Sequence, residues 1–281
     1  MNNIYLSSSS FKNTTYSDAL SVFKKLKIFN VELSYNKYEK HQLTKILKIK
    51  NLFRFQIHNY FPNDKSPFFL NLASSDKNIV FRSIDKVVKN IKNAKIFGTS
   101  YVSLHAGFLF DIGPNKNYFN LQKYSTGMKI FKKNIVKLSK TAKKYNVKLL
   151  IENNVLTKKN LNFFKFNPLL LTDPDEIISF FKWAPSNVRL ILDTGHFKVN
   201  SRTLGFNKIN GLKKILPYVD AYQISENNSV NDENKPINLN SWFMPYIKNN
   251  YAAFYTLELD IKYKKIFKRQ INLLSNYLYK S

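Results

Sequence analysis

Polar and ionisable side chains recur in this sequence at the ends of short apolar segments. Their successive spacings are 26, 47, 47, 41, 30 and 35 residues. The residues are Glu32, His58, His105, Glu152, Asp193, Gln223 and Glu258. Three carboxylates that are brought together repel one another, and at neutral pH they need a cation or one strongly raised pKa. A fold that gathers these segment ends would therefore form a divalent metal site.

The apolar segments that carry these residues are predicted to be parallel β-strands. Short β-rich runs alternate with stretches of helical periodicity, which is typical of strands joined by helical crossovers. The predicted strands are residues 4–6, 31–34, 53–58, 101–105, 147–152, 188–193, 221–225 and 253–258. We therefore predict an α/β fold, a (β/α)8 TIM barrel with an outer ring of helices, in one domain over residues 1–281. In such a barrel the carboxyl ends of the strands meet at one rim, where active sites lie.

One predicted helix has an explicit start signal. The segment TDPDEIISFF places Asp173 as the N-cap, Pro174 in the first turn and Glu176 at the position of a capping box. Apolar residues at helical spacing in 80–91 and 128–145 predict two further helices that pack on the barrel.

Composition narrows the class of protein. The chain of 281 residues has a net charge of +27, and basic surfaces can bind nucleic acid. However, only five of its 45 cationic residues are arginine, and the lysines are spread over nearly every predicted helix. Nucleic-acid footprints cluster and favour arginine, so we interpret the charge as a solvated lysine surface. Nucleic acid is a disfavoured partner that this pattern leaves open.

Targeting and redox features are sparse. No stretch approaches the ~20 apolar residues of a membrane span, and the N-terminus lacks a basic segment followed by an apolar run. We therefore expect a cytoplasmic protein without a membrane partner. The absence of cysteine excludes thiolate ligands and points to oxygen-preferring metal ions.

The strand ends resemble those of xylose-isomerase-like barrels, a superfamily of sugar isomerases, epimerases and apurinic endonucleases. The similar strings are VELS, QIHNYFP, FFLNLASSD, YVSLHAGF, LLIENN, LILDTGHF, AYQIS and YTLELD, which span essentially the whole chain. The order IENN, then LDTGH, then LELD is the specific combination. The resemblance implies that Glu152, Asp193 and Glu258 bind a divalent ion and that the two glutamates serve as catalytic acid and base.

Gln223 departs from the commonest pattern, which has histidine at this position. An amide oxygen also coordinates hard cations, and some isomerases of the superfamily place glutamine here. We therefore predict a metal site of Glu152, Asp193, Gln223 and Glu258 that prefers Mn²⁺ or Mg²⁺, with Co²⁺ and Zn²⁺ left open.

Further residues are predicted to contact the substrate. They are His58, His105, His196 and Glu32, although the histidines could instead hold an additional zinc and Glu32 could equally be a structural acid inside the barrel. Two more sets are candidates for an apolar wall and for anion recognition. The first is Phe61, Phe108, Phe110 and Trp242, some of which are expected to serve packing alone, and the second is Lys198, Arg202 and Lys235.

These expectations favour an isomerase or epimerase of carbohydrate metabolism that acts on a sugar, a sugar phosphate or a related hydroxy-carbonyl compound. Its oligomeric state is open, with a homo-oligomer suggested by the superfamily. The main alternative is a zinc-dependent apurinic endonuclease acting on DNA, for which Asp232 also fits the pattern. Gln223 and Asn234 argue against it because they replace histidines. A second alternative is a sugar-binding barrel without catalytic activity.

Overall fold

Eight parallel strands close into a barrel in the computed structural model, which describes residues 3–66, 68–113, 117–250 and 252–279. In chain order the strands are β1 (Ile4–Ser7), β2 (Asn30–Leu33), β3 (Arg54–His58), β4 (Tyr101–His105), β5 (Asp111–Ile112), β6 (Tyr118–Phe119), β7 (Lys148–Glu152), β8 (Val188–Asp193), β9 (Val219–Ile224) and β10 (Phe254–Leu257). Around the barrel the order is β1, β10, β9, β8, β7, β4, β3 and β2. The short strands β5 and β6 form a separate antiparallel pair. The eight barrel strands confirm the predicted fold.

Helices surround the barrel. They are α1 (Tyr16–Lys25), α2 (Gln42–Leu47), α3 (Lys77–Phe97), α4 (Tyr124–Lys144), α5 (Lys158–Phe164), α6 (Pro174–Trp183), α7 (Thr194–Leu204), α8 (Lys208–Ile215), α9 (Met244–Lys248) and α10 (Phe267–Tyr279). The two predicted apolar stripes lie on α3 and α4. Within the described residues, none of these helices is both long and apolar enough to cross a membrane.

The start of α6 follows the predicted capping pattern with one difference. Asp173 is the N-cap and accepts hydrogen bonds from the backbone amides of Asp175 and Glu176, and Pro174 occupies the first turn. The Glu176 carboxylate accepts from the amide of Thr172, one residue before the cap, rather than from that of Asp173. The helix start was thus predictable from the sequence, but the hydrogen-bond partner of Glu176 depends on the conformation of the loop that precedes the helix.

The barrel interior is layered because alternate residues of a strand share a face. A small cluster of Tyr5, Leu150, Ile191, Ala221 and Phe254 forms an apolar layer within the sheet. Two residues further along each of three strands, the interior-facing side chain is polar. The pairs are Leu150 and Glu152, Ile191 and Asp193, and Ala221 and Gln223. Strand periodicity therefore places the polar layer directly above the apolar one, at the carboxyl ends.

Candidate active site

Glu152 is the hub of the polar layer. Its Oε2 lies 2.8 Å from Nε2 of His58 and 3.3 Å from Nε2 of His105, and its Oε1 lies 3.2 Å from Nδ1 of His196. The carboxylate is only 2% exposed. Because β3 and β4 pair in parallel, and β4 pairs with β7, the ends of three adjacent strands bring His58, His105 and Glu152 together. The structure thus joins four of the predicted residues in one contact network.

Asp193 and His196 form the second part of the network at the start of α7. The Asp193 carboxylate accepts from the backbone amide of His196, which makes Asp193 the N-cap of this helix. The side-chain amide of Asn153 fixes the same turn, because it donates to the backbone carbonyl of Asp193 and accepts from the backbone amide of Asp193. The backbone carbonyl oxygen of Asn153 lies 2.9 Å from His196 Nδ1. On its other side, His196 Nε2 lies 3.4 Å from Asp232 Oδ2. Buried backbone contacts therefore set the position of both side chains.

Gln223 links the two remaining predicted acids. Its Nε2 lies 3.2 Å from Glu258 Oε1 and 3.5 Å from Glu32 Oε1. Glu32 also accepts from the hydroxyl of Thr256, the interior-facing residue two positions before Glu258. All eight predicted site residues thus lie in two neighbouring networks. One is centred on Glu152 and the other on Gln223.

Two glutamates of the site have opposite pKa shifts. Burial raises the pKa of Glu258 well above its usual value, and the nearby carboxylates of Glu32 and Asp193 raise it further. Burial also acts to raise the pKa of Glu152, but the surrounding histidines, led by His105, lower it more, and the result lies well below the usual value. Divergent pKa values in one pocket are typical of acid and base pairs.

Asp193 and His196 influence each other. Burial raises the pKa of Asp193 to about 7, and Asp232 also raises it, against the lowering effect of His196. Burial acts to lower the pKa of His196, but Asp193 and Asp232 raise it well above 6.5 overall. In contrast, burial lowers the pKa of His105 to about 4, which leaves this imidazole neutral at pH 7. A neutral imidazole is the form that binds metals.

The donor set fits a divalent cation. Oδ2 of Asp193 and Oε1 of Gln223 are buried and accept no hydrogen bond from any described residue. Buried oxygens without a donor are costly, and a cation removes both that cost and the repulsion among the carboxylates. Two groups, His58 with His105 and Glu152, and Glu152 with Asp193 and His196, have ligand atoms within 4.8 Å of one another. Among the described residues, Glu258 joins neither group.

A cavity of about 260 Å³ lies at this rim. Five predicted residues line it, namely His58, His105, Glu152, His196 and Glu258. The other three, Glu32, Asp193 and Gln223, are almost completely buried and do not line it. The site therefore has an accessible set of acids and histidines supported by a buried set.

Comparison with known proteins identifies the family. A sequence model described as xylose isomerase-like TIM barrel matches residues 21–268. The chain belongs to this family. A search of curated protein sequences gave no significant match.

Solved structures with the same fold as this xylose isomerase-like barrel include several epimerases. A D-tagatose 3-epimerase-like protein superposes with a TM-score of 0.71 at 15% identity, covering 98% of each chain. An L-ribulose 3-epimerase gives 0.66 at 16% identity, covering 99% of this chain and 92% of its own. A protein from Thermus thermophilus soaked with ZnCl2 gives 0.63 at 16% identity, with 96% and 97% covered. At these identities the likeness establishes the fold.

The four aromatic candidates for an apolar wall of this xylose isomerase-like barrel do not line the cavity. Phe61 is completely buried and packs edge-on against Tyr16 and Phe97, and Trp242 stacks on Phe197. Phe108 and Phe110 stack on each other without lining the cavity. The aromatic residues that do line the cavity are Phe11, Tyr35 and Tyr60. Sequence position after a strand could not separate loop residues that turn into the core from those that face the cavity.

The predicted anion-binding lysines also lie elsewhere. Lys198 Nζ contacts the Glu226 carboxylate at 2.5 Å, and Lys235 Nζ lies 2.9 Å from Glu233. Neither these lysines nor Arg202 lines the cavity. Asn153, which orients Asp193 and His196, was not singled out from the sequence. Its signal was the IENN string, in which a buried asparagine follows the strand-end glutamate.

Proposed function

We propose that this protein is a divalent-metal-dependent isomerase or epimerase that transfers a proton at a carbon next to a carbonyl group, in a sugar or a related hydroxy-carbonyl compound. The observation that carries the proposal is the pair Glu152 and Glu258. Both line one cavity, and two strands of the barrel, β8 and β9, lie between the strands that carry them. The names of the structural relatives, which include sugar epimerases, support this choice of substrate class.

Glu152, Asp193, Gln223 and Glu258 would hold the ion. When bound, it supplies Lewis-acid polarisation of the substrate carbonyl and stabilises the negative charge that develops on the oxygen. The amide oxygen of Gln223 and the three carboxylates favour Mn²⁺ or Mg²⁺. The neighbouring His58 and His105 keep zinc in consideration, as does the zinc-soaked structural relative.

In the proposed mechanism the two glutamates exchange a proton on opposite faces of a substrate. Glu152 ends β7 and Glu258 follows β10, and two strands, β8 and β9, separate them around the barrel. Glu152 is held ionised by its histidines and can accept a proton from carbon. Glu258, whose pKa burial and the neighbouring carboxylates raise, is proposed to return a proton from the other side. The reverse direction exchanges these roles.

The remaining predicted residues are assigned to supporting the site or to contacting substrate. His58 is buried and fixes one oxygen of Glu152. His105 is partly exposed and His196 also lines the cavity, so both are proposed to contact substrate hydroxyls. Glu32 is completely buried and does not line the cavity, and we assign it to holding Gln223 rather than to binding substrate.

The test follows hydrogen at carbon. A panel of ketopentoses and ketohexoses is incubated with the Mn²⁺-loaded protein in D₂O, and deuterium at carbon 1 and carbon 3 is measured by NMR. Glu152→Gln and Glu258→Gln should each lower exchange by at least about a hundredfold, because each removes an acid or base catalyst. Glu233→Gln, a glutamate outside the cavity, is the matched control. Exchange that persists in both cavity variants would rule out this mechanism.

A second candidate, cleavage of DNA at abasic sites, is favoured by one observation. His58, His105 and Glu152 form a second potential metal group, and His196 lies near Asp232. Elemental analysis of the purified protein, together with an abasic-DNA assay, separates the two functions. Two or three zinc ions per chain with DNA cleavage would select the nuclease. One exchangeable ion without cleavage would select the isomerase or epimerase.

A further inference from the structure

The loop after β1 lies across the barrel mouth from Glu152. Going around the closed barrel, three strands lie between β1 and β7 in either direction, so their carboxyl ends are diametrically opposed. The cavity spans this distance, because residues 9–13 of the β1 loop and Glu152 both line it. A substrate whose reacting carbon lies at Glu152 and whose chain spans the cavity therefore reaches the β1 loop with its far end.

Lys12 is the one lysine or arginine of the described residues that lines this cavity. Its ammonium group makes no ion pair or hydrogen bond with any of them, in contrast to Lys198 and Lys235, which are engaged by glutamates. An unpaired cation at one end of an otherwise acidic cavity is suited to an anionic group of a ligand.

The backbone that carries Lys12 is held in place before any ligand binds. The amide Nδ2 of buried Asn36 donates to the carbonyl oxygens of Ser8 and Phe11, and the amide of Lys12 donates to Ser9. Phe11 packs edge-on against Phe23 in the core. A pre-organised loop loses little entropy when it binds a ligand, so this loop carries Lys12 beside the cavity at little entropic cost.

A buried hydroxyl next to Lys12 also lacks a partner. Ser10 lines the cavity and is 5% exposed, yet its Oγ makes no hydrogen bond with the described residues. Buried polar atoms are usually paired with protein or water, so this hydroxyl has hydrogen-bonding capacity left for a water molecule or a ligand group. Asn13, also in the lining, adds an amide donor.

We propose that Lys12, Ser10 and Asn13 form a subsite for an anionic group, a phosphate or a carboxylate, on the substrate end remote from the reacting carbon. Which end reacts rests on the proposed function. Asp232 and Asp260 line the same cavity and repel an anion, and Lys12 is the lining group that attracts it. This assigns the substrate class as an acidic sugar derivative rather than a neutral sugar.

Equilibrium binding tests the subsite without requiring turnover. Fructose, fructose 6-phosphate and fructuronate are titrated by calorimetry into the Mg²⁺-loaded protein. We expect at least one of the two anions to bind roughly tenfold or more tighter than fructose, as one charge-assisted hydrogen bond provides. Lys12→Met should remove that advantage, and Ser10→Ala should weaken binding of the same anion by about fivefold. Preference between the two anions distinguishes phosphate from carboxylate.

Lys25→Met is the matched control, because Lys25 is an exposed lysine in the last turn of α1, away from the cavity. It should leave all three affinities unchanged. Equal binding of fructose and both anions to the wild type would overturn the subsite. So would a Lys12→Met variant that keeps the anion advantage. Failure of the deuterium exchange test alone would remove the proposed function and leave the anion site in place.

Discussion

Gln223 donates its Nε2 to Glu258 Oε1 at 3.2 Å, while its own buried Oε1 accepts no hydrogen bond from the described residues. One amide therefore orients a proposed catalytic acid and leaves an oxygen free for a cation. This arrangement links the choice of metal to a single side chain, because a hard oxygen donor favours Mn²⁺ or Mg²⁺ and an imidazole favours zinc.

Gln223→His should shift the metal preference toward zinc by about tenfold or more, since it replaces an amide oxygen by a nitrogen donor. The measurement is competition of Zn²⁺ with Mn²⁺ for the apo-protein, followed by elemental analysis. Circular dichroism of the apo-variant controls for folding. An unchanged preference in a folded variant would show that Gln223 is not a ligand.

Asn153→Ala should weaken metal binding by roughly 10- to 100-fold, because Asn153 positions Asp193 and His196 from behind. It should also destabilise the protein by about 1–3 kcal/mol, since buried backbone groups lose their partners. Asn134→Ala is a matched control, because Asn134 donates to the Leu72 carbonyl on another part of the barrel. The control should lose stability and keep its metal affinity. Equal metal affinity in both variants would contradict the positioning role.

Removal of the metal should lower thermal stability. An ion that binds the folded chain alone stabilises it by about 2.7 kcal/mol at a concentration 100 times Kd, which corresponds to a Tm shift of roughly 5 °C or more. Differential scanning fluorimetry with and without a chelator measures the shift. The Asp193→Asn variant should show little change in Tm on addition of the chelator. The reason is that Oδ2 of Asp193, which is buried and accepts no hydrogen bond from the described residues, is a proposed ligand atom. A chelator effect of the same size in this variant would place the stabilising ion elsewhere.

Glu176 should make stability pH-dependent through a group outside the site. Burial raises its pKa above 4.5, against the lowering effect of the Leu171 and Thr172 amides and the Tyr124 hydroxyl. For a raised carboxyl, the favourable contribution is present below the unfolded pKa of 4.5 and is lost as pH rises through the folded pKa.

Relative to Glu176→Gln, the wild type should therefore become less stable between pH 4.5 and neutrality, by roughly 1.4 kcal/mol for each unit of pKa shift. Urea unfolding of both proteins across this range measures the difference. A difference in stability that does not vary with pH would contradict the raised pKa. A wild type that gains stability relative to Glu176→Gln as the pH rises would show that the pKa of Glu176 is lowered rather than raised.

The repeating pattern of the sequence was sufficient to predict the barrel and the convergence of its polar strand ends. Strand and helix periodicities are local, and once eight parallel strands close, their carboxyl ends must share a rim. The prediction of β4 at residues 101–105 and β8 at residues 188–193 agrees with the observed bounds. Glu152, Asp193 and Gln223 followed for the same reason, because each lies two positions after an interior apolar residue of its strand.

Only the tertiary structure decided which loop residues meet the cavity and which side chains pair. Phe61 packs in the core, and Lys198 forms an ion pair with a glutamate. Lys12 lines the cavity, although nothing in the lysine-rich sequence distinguished it. The physical reason is that strand ends are positioned by a backbone pattern that repeats locally. The contacts of loop side chains, in contrast, depend on neighbours that are remote in sequence. The sequence thus determined which polar strand ends converge at one rim, and the packing of loops from different βα units determined what surrounds them.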